Sequence, residues 1–472
     1  MKRLNKLRPM LIIVLISQLF FACANDQDEF LADNVEEVVG DFMAATIYYE
    51  VGSDKYAIVY TKNGDKKTFN NGKKVGQTQE EAPDPIVAPE NAENVEIIEG
   101  EAWTDEEAMV ETSNPNAPVS SDLAFSVNYW QDLYDQEWVE NDNRMDKDDA
   151  YSKSLSKNLD QEYYYLGYYI DGLVQIWQAT GDNAYLDTAL DLINNTVNDA
   201  VDMGNGYKGW PSQDGTPKAL WDSFYWRHVA TLVRVLHESP NLRSTNPQYQ
   251  QAYVELLNFS EVHIWDRWEA AGIGNFYRSR THMASHWARI GMELYMVTGK
   301  AKYREVFENI SFKGMPNRPS NLRDRIYFNP DQTDAYVWDS QWDVNQGGGV
   351  QDTSHAGAII SFIVNAADNN MYWNSNDITA FTNTLMKVIW PAENGSQMAY
   401  NVDGTEGFQR AHKGHEWLTL GRYSREVQER IFTDYIPNTQ FENVYVYGTQ
   451  AMGAAALNAK ILTDGAPVYP EQ

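Results

Sequence analysis

The stretch Tyr163–Val197, YYYLGYYIDGLVQIWQATGDNAYLDTALDLINNTV, decides the fold. Its apolar residues recur at helical spacing up to Trp177. Thr180, Gly181 and Asp182 then break the pattern, which resumes as a second helix from about Tyr185. Ser285–Ile310, SHWARIGMELYMVTGKAKYREVFENI, repeats the plan, with Thr298 and Gly299 at the break and Tyr303 in the place of Tyr185. One helical hairpin cannot bury its apolar face alone, so a chain of such hairpins must stack them on one another.

The histidines give the repeat a phase. His228, His286, His355 and His415 each stand near the start of a predicted helix, at spacings of 58, 69 and 60 residues, and Tyr168 falls about one period upstream. In a closed ring, equivalent helix ends converge on one face. A spiral solenoid would also repeat, but about six units with polar and aromatic groups at matching helix starts fit a ring better. The expected fold is therefore an all-α main domain over residues 121–472, an (α/α)n toroid in the form of an incomplete or closed ring of about six to seven helical hairpins, with a small N-terminal β-containing or disordered segment.

The N-terminus is of another kind. Lys2, Arg3, Lys6 and Arg8 precede an apolar run, Met10–Ala22, that is too short to span a bilayer and reads as a secretory signal over residues 1–22. LFFACANDQDEF resembles the lipobox of bacterial lipoproteins. That resemblance implies lipidation of Cys23, the sole cysteine of the 472-residue chain, and an outer-membrane anchor facing the periplasm or cell surface. Residues 23–120 read as a tether with a small β element, in which Asn63-Gly64 offers a hairpin turn. Glu81–Asn143 holds no Lys or Arg, and its Pro-, Glu- and Asn-rich beginning reads as a solvated segment.

A formal charge of −30 argues against a nucleic-acid partner, because phosphate binding rests on clustered Lys and Arg. An acidic ligand would need a local basic pocket to overcome the repelling global field. The 15 Trp and 29 Tyr suit either a large core or exposed platforms for sugar rings.

Around His286 cluster Tyr277, Arg278, Arg280 and His282. Around His355 stand Asn345, Gln346, Gly347–Gly349 and Asp352. Arginine forks bind carboxylates through paired hydrogen bonds, and imidazole transfers protons near neutral pH, so the first cluster is a candidate anion seat. His282 and His286, four residues apart, could meet a metal from one helix face. Met283 stands where a metalloprotease needs glutamate, so no cofactor is required and a divalent metal is not favoured.

The hairpin repeats and the motifs RTHMASHWARIG and QDTSHAG resemble the α/α-toroid polysaccharide lyases that act on uronic-acid polymers such as alginate and glucuronan. The Asn-Asn-His signature of the best-known toroidal alginate lyases is absent. The resemblance implies β-elimination on an acidic polysaccharide, with a neutralised carboxylate, a base and an acid. It assigns His286 and His355 as base or neutraliser, Tyr225 or Tyr277 as the proton-transferring tyrosine, and Asn345 as a carboxylate contact. Arg278, Arg280, His282, His228 and His415 would bind substrate, and Trp226, Trp287, Trp338 and Trp342 are candidates for sugar stacking. Two alternatives stand beside it. A toroid glycoside hydrolase acting on uronate oligosaccharides would need two carboxylates, drawn from Asp222, Asp339, Asp343, Asp352 and Glu416. A non-catalytic glycan-binding lipoprotein would need none.

Overall fold

The computed structural model describes residues 43–89, 91–112, 121–139, 147–156, 160–212, 214–316, 318–342, 349–395, 397–438 and 447–466. Cys23, Asp343 and Asn345 lie outside them.

The break at Thr180-Gly181-Asp182 separates α3 (Asp160–Thr180) from α4 (Asn183–Asp199). The Asp182 carboxylate accepts the Ala184 amide at 2.9 Å and so caps the second helix. At the equivalent turn, Gly299 takes the left-handed conformation, φ 68°, that ends α7 (Thr281–Thr298) before α8 (Ala301–Glu308). Further pairs follow the same plan: α5 (Ala219–His237) with α6 (Pro247–Asn258), and α9 (Thr353–Asp368) with α10 (Ser375–Asn383). A long 3₁₀ segment, Ala411–Tyr423, pairs with α11 (Arg425–Arg430). The sixth pair is split between the chain's ends, with α2 (Val127–Val139) packing against α12 (Tyr447–Asp464). Four outer helices run on into a π turn, at Phe259–Asp266, Asn309–Lys313, Thr384–Ile389 and Ile431–Tyr435, which marks the repeat as clearly as the histidines do.

The inner elements touch in cyclic order: α3 with α5, α5 with α7, α7 with α9, α9 with the 3₁₀ segment, that segment with α12, and α12 with α3. The ring is closed, as an α/α toroid of six hairpins. Closure rests on two glycines. A Cβ on Gly453 would lie 2.6 Å from the Gly172 carbonyl oxygen, so α3 and α12 meet backbone to backbone only because neither carries a side chain there. Between the two layers of helices lie Trp130, Trp226, Trp265, Trp287, Trp338, Trp373, Trp390 and Trp417, all fully buried. Much of the tryptophan is thus core rather than sugar platform.

Segments 45–99 form an antiparallel sheet of order β4-β3-β2-β1-β5, from β1 (Ala45–Val51), β2 (Asp54–Tyr60), β3 (Asp65–Asn70), β4 (Lys73–Gln79) and β5 (Glu93–Glu99). Helix α1 (Asp105–Glu111) covers one face through Ala108, packed with Ala57, Val59 and Phe69. The β element is larger than its sequence suggested. Lying in the stretch read as solvated, β5 pairs with β1 because the backbone ladder needs no apolar side chains, and its residues are mostly exposed. Among the described residues, no helix is long and apolar enough to cross a membrane.

Turns leading from an inner to an outer helix are short, whereas most connections back to the next inner helix are long. They carry three small antiparallel pairs: β6 (Val201–Asp202) with β7 (Lys208–Gly209), β8 (Ile326–Phe328) with β9 (Tyr336–Trp338), and β10 (Gln397–Ala399) with β11 (Phe408–Arg410). The long loops gather at the N-terminal ends of the inner helices, and that face holds the candidate site.

Candidate active site

Most helices of a globular core turn an apolar stripe inward, but these inner helices turn a polar stripe toward the axis. On α7 it runs His282, His286, Arg289, Glu293, and on α9 Gly357, Ser361, Asn365, Asp368, both at helical spacing. The phased residues converge there. Tyr168 meets His415 with ring centroids 5.1 Å apart, Phe224 touches Tyr168, His228 and His286, and His282 lies 4.4 Å from His355.

Ion pairs fill the axis below. Asp171 accepts from His228 at 2.9 Å and from Gln175 and Gln450, with Arg289 at 3.8 Å. Burial is the larger influence on His228, and despite Asp171 beside it the imidazole is pushed down to about 4. Arg227 pairs with Glu416 at 2.8 Å, and Glu416 also accepts from Ser361. Deeper, Glu293 joins Thr231, Arg234 and Asn365. His286 is buried under Phe224, 3.5 Å from the Ser223 hydroxyl. Burial first, and then the charge of Arg227, hold it well below the usual histidine range. His282 is depressed likewise, by burial and by His355.

At the mouth, Asp352 caps α9. Its carboxylate accepts the backbone N–H of His355, the His355 Nδ1 proton at 2.9 Å and the Gln351 amide at 2.8 Å. Burial opposes its ionisation, but the His355 bonds outweigh that and bring it down to about 2. His355 thus turns Nδ1 toward Asp352, and its side chain is 32% exposed.

A second carboxylate stands near this segment. Asp339 forms an isolated antiparallel bridge to Val350, two residues before Asp352, which itself bridges to Asn401. Burial raises Asp339, against the weaker pull of Arg325 at 3.9 Å and a bond from Tyr327. Its side chain keeps 16% exposure and that of Asp352 23%.

The remaining candidates divide. Tyr225 and Trp226 turn away from the axis, bonding Thr196 at 3.0 Å and Ser260 at 2.8 Å in the outer layer, because one and two residues beyond Phe224 a helix has rotated past its inner face. Tyr277 is also buried toward the outer layer, accepting from Asn309 at 3.0 Å. Neither expected tyrosine reaches the histidines. Trp342 is buried and donates to the Arg278 carbonyl, and Trp287 and Trp338 are core, so none of the expected tryptophans is a sugar platform. Of the carboxylates, Asp222 is buried against Arg267 and Trp268, and Glu416 against Arg227. Arg280, at the N-cap of α7 beside His282, is half-buried and has no acidic partner among the described residues, whereas Arg278 is half-buried in contact with its neighbours. Among the described residues, no group of three or more His, Asp or Glu is disposed to hold a metal. Sequence reasoning missed Asp171, Arg227 and Arg289, although Asp171 and Arg289 each lie three residues along their helix from a phased residue, Tyr168 and His286, and share its face.

No family model and no curated protein matches the chain. Among solved structures it is similar to the GH76A alpha-1,6-mannanase from Salegentibacter sp. HEL1_6, at 12% identity over 73% of this chain and 99% of that one, with a TM-score of 0.39. It is also similar to a family 76 glycoside hydrolase from a bovine Bacteroides thetaiotaomicron strain, at 7% identity over 89% and 93% of the two chains, with a TM-score of 0.33. Likenesses so slight carry no argument about chemistry; the six-hairpin ring stands on the chain's own contacts.

Proposed function

We propose that the chain is a toroid glycoside hydrolase that cleaves a glycan at the long-loop face of the ring. The observation that carries this reading is the pair Asp339 and Asp352, connected through the bridge of Asp339 to Val350, both partly exposed, with environments that push their ionisation in opposite directions. Asp339, biased toward the protonated form, gives its proton to the departing glycosidic oxygen as the C–O bond breaks. Ionised Asp352 holds His355, whose Nε2 takes a proton from the water that attacks the anomeric carbon. Solvent then returns the proton from His355 to Asp339.

Elimination is the weaker reading, because Tyr225 and Tyr277, the tyrosines expected to transfer its proton, are committed to the outer layer. An acidic glycan fits Arg280. Attachment to the outer membrane through a lipid on Cys23 belongs to the same proposal and is supported by the charged and apolar run before it.

The test measures new reducing ends and the ultraviolet absorbance of unsaturated uronates in parallel, on alpha-1,6-mannan, alginate and glucuronan. Reducing ends without the chromophore, lost in Asp339→Asn and Asp352→Asn, are expected. A growing chromophore would replace hydrolysis by elimination, and binding without turnover would make the chain a carrier.

A further inference from the structure

The loop that leads into the 3₁₀ segment carries two exposed side chains that the cleavage scheme does not use. Phe408 and Arg410 lie two residues apart on β11 and therefore on the same face of that strand. Phe408 is 57% exposed, unusual for so large an apolar group, and Arg410 is exposed with no acidic partner among the described residues of a strongly acidic chain.

Their position ties them to the site. Thr353, next to Asp352, donates its hydroxyl to the Ala399 carbonyl at 2.7 Å and its amide to the Tyr400 carbonyl at 2.7 Å. Ala399 pairs directly with Phe408, and Asp352 itself bridges to Asn401. Since neighbouring strands stand about 4.8 Å apart, the β11 face lies one strand beyond the backbone that anchors the carboxylate.

We infer that Phe408 and Arg410 form a subsite for an anionic sugar unit next to the cleavage point. The ring of Phe408 takes the apolar face of the sugar, and the guanidinium of Arg410 takes its carboxylate or sulfate through paired charge-assisted hydrogen bonds. The anion gains a local partner in a chain whose overall charge would otherwise repel it. This inference rests on the glycan-cleaving reading and names the charge class of its substrate.

Binding separates the two claims. The full chain carrying Asp352→Asn is titrated by calorimetry with an oligoglucuronate, a sulfated galactan oligosaccharide and a neutral mannan oligosaccharide, with and without Arg410→Gln, Arg410→Lys or Phe408→Ala. Arg410→Gln is expected to weaken the anionic ligand about tenfold and leave the neutral one unchanged. Arg410→Lys should recover part of that loss, and Phe408→Ala should weaken any ligand that binds. Preference for the uronate or the sulfated ligand identifies which anion the subsite takes. Unchanged anionic binding in Arg410→Gln, or no anionic binding by the parent, overturns the subsite. If Arg410→Gln loses binding while Asp339→Asn and Asp352→Asn still cleave as well as the parent, the subsite stands and the catalytic assignment falls.

Discussion

At the residue scale, Asp352, the carboxylate proposed to react, contrasts with Glu416, a structural one. Asp352 sits with His355 and His282 and is partly exposed at the mouth, whereas Glu416 is sealed against Arg227. Asp352→Asn, which keeps a helix-capping side chain, is expected to lower turnover by about 10²- to 10⁴-fold and to lower the unfolding midpoint less than loss of a buried ion pair does. Glu416→Gln should do the reverse: removing one partner of a buried ion pair costs about 3–5 kcal/mol, visible in urea denaturation, with kcat nearly kept in whatever remains folded. Equal loss of turnover in both variants would contradict the assignment. The histidine phase made the convergence of His355 with His282 legible in the sequence, through spacing and neighbours. Asp339 was only one acid among many, because its pairing opposite Val350 depends on a ladder that residue types do not announce.

At the scale of elements, helix breaks could be read directly, because Asp182 and Gly299 terminate hairpins by local chemistry. Which face of each helix points inward could not. Tyr225 was an attractive proton carrier by type and position, yet 100° of rotation per residue separates it from Phe224 and sends it to Thr196. Closure of the ring also belongs to this scale. Gly453→Val would force α12 from α3 and is expected to cost about 3 kcal/mol, read as a lower urea midpoint, whereas Gly274→Ala, with open space around it and no left-handed φ, should cost less. A Gly453→Val protein as stable as the parent would mean that this seam is not close-packed.

For the whole molecule, the decisive feature is an axis filled with charges and imidazoles rather than hydrocarbon. His228, His282 and His286 all have folded-state ionisation depressed by burial. The unfolded chain therefore binds more protons than the native one below the ordinary histidine value near 6.5, and stability must fall as pH drops. For His228 the loss extends from about 6.5 down to about 4, and depressed Asp171 adds its own loss at still lower pH. Scanning calorimetry should show the melting temperature falling between pH 7 and pH 4.5, and His228→Gln should flatten that fall even if it lowers the melting temperature at neutral pH. A melting temperature that rises on acidification would contradict the buried neutral imidazoles. What the sequence determined by itself was the hairpin, its breaks and its period, because helix propensity, capping and apolar spacing act over a few residues. The tertiary structure alone decided that the ring closes at six hairpins, that Asp339 bridges to Val350 beside Asp352, and that Tyr225 and Tyr277 turn to the outer layer. Those outcomes depend on contacts between residues tens to hundreds of positions apart, where geometry rather than residue type selects the neighbour.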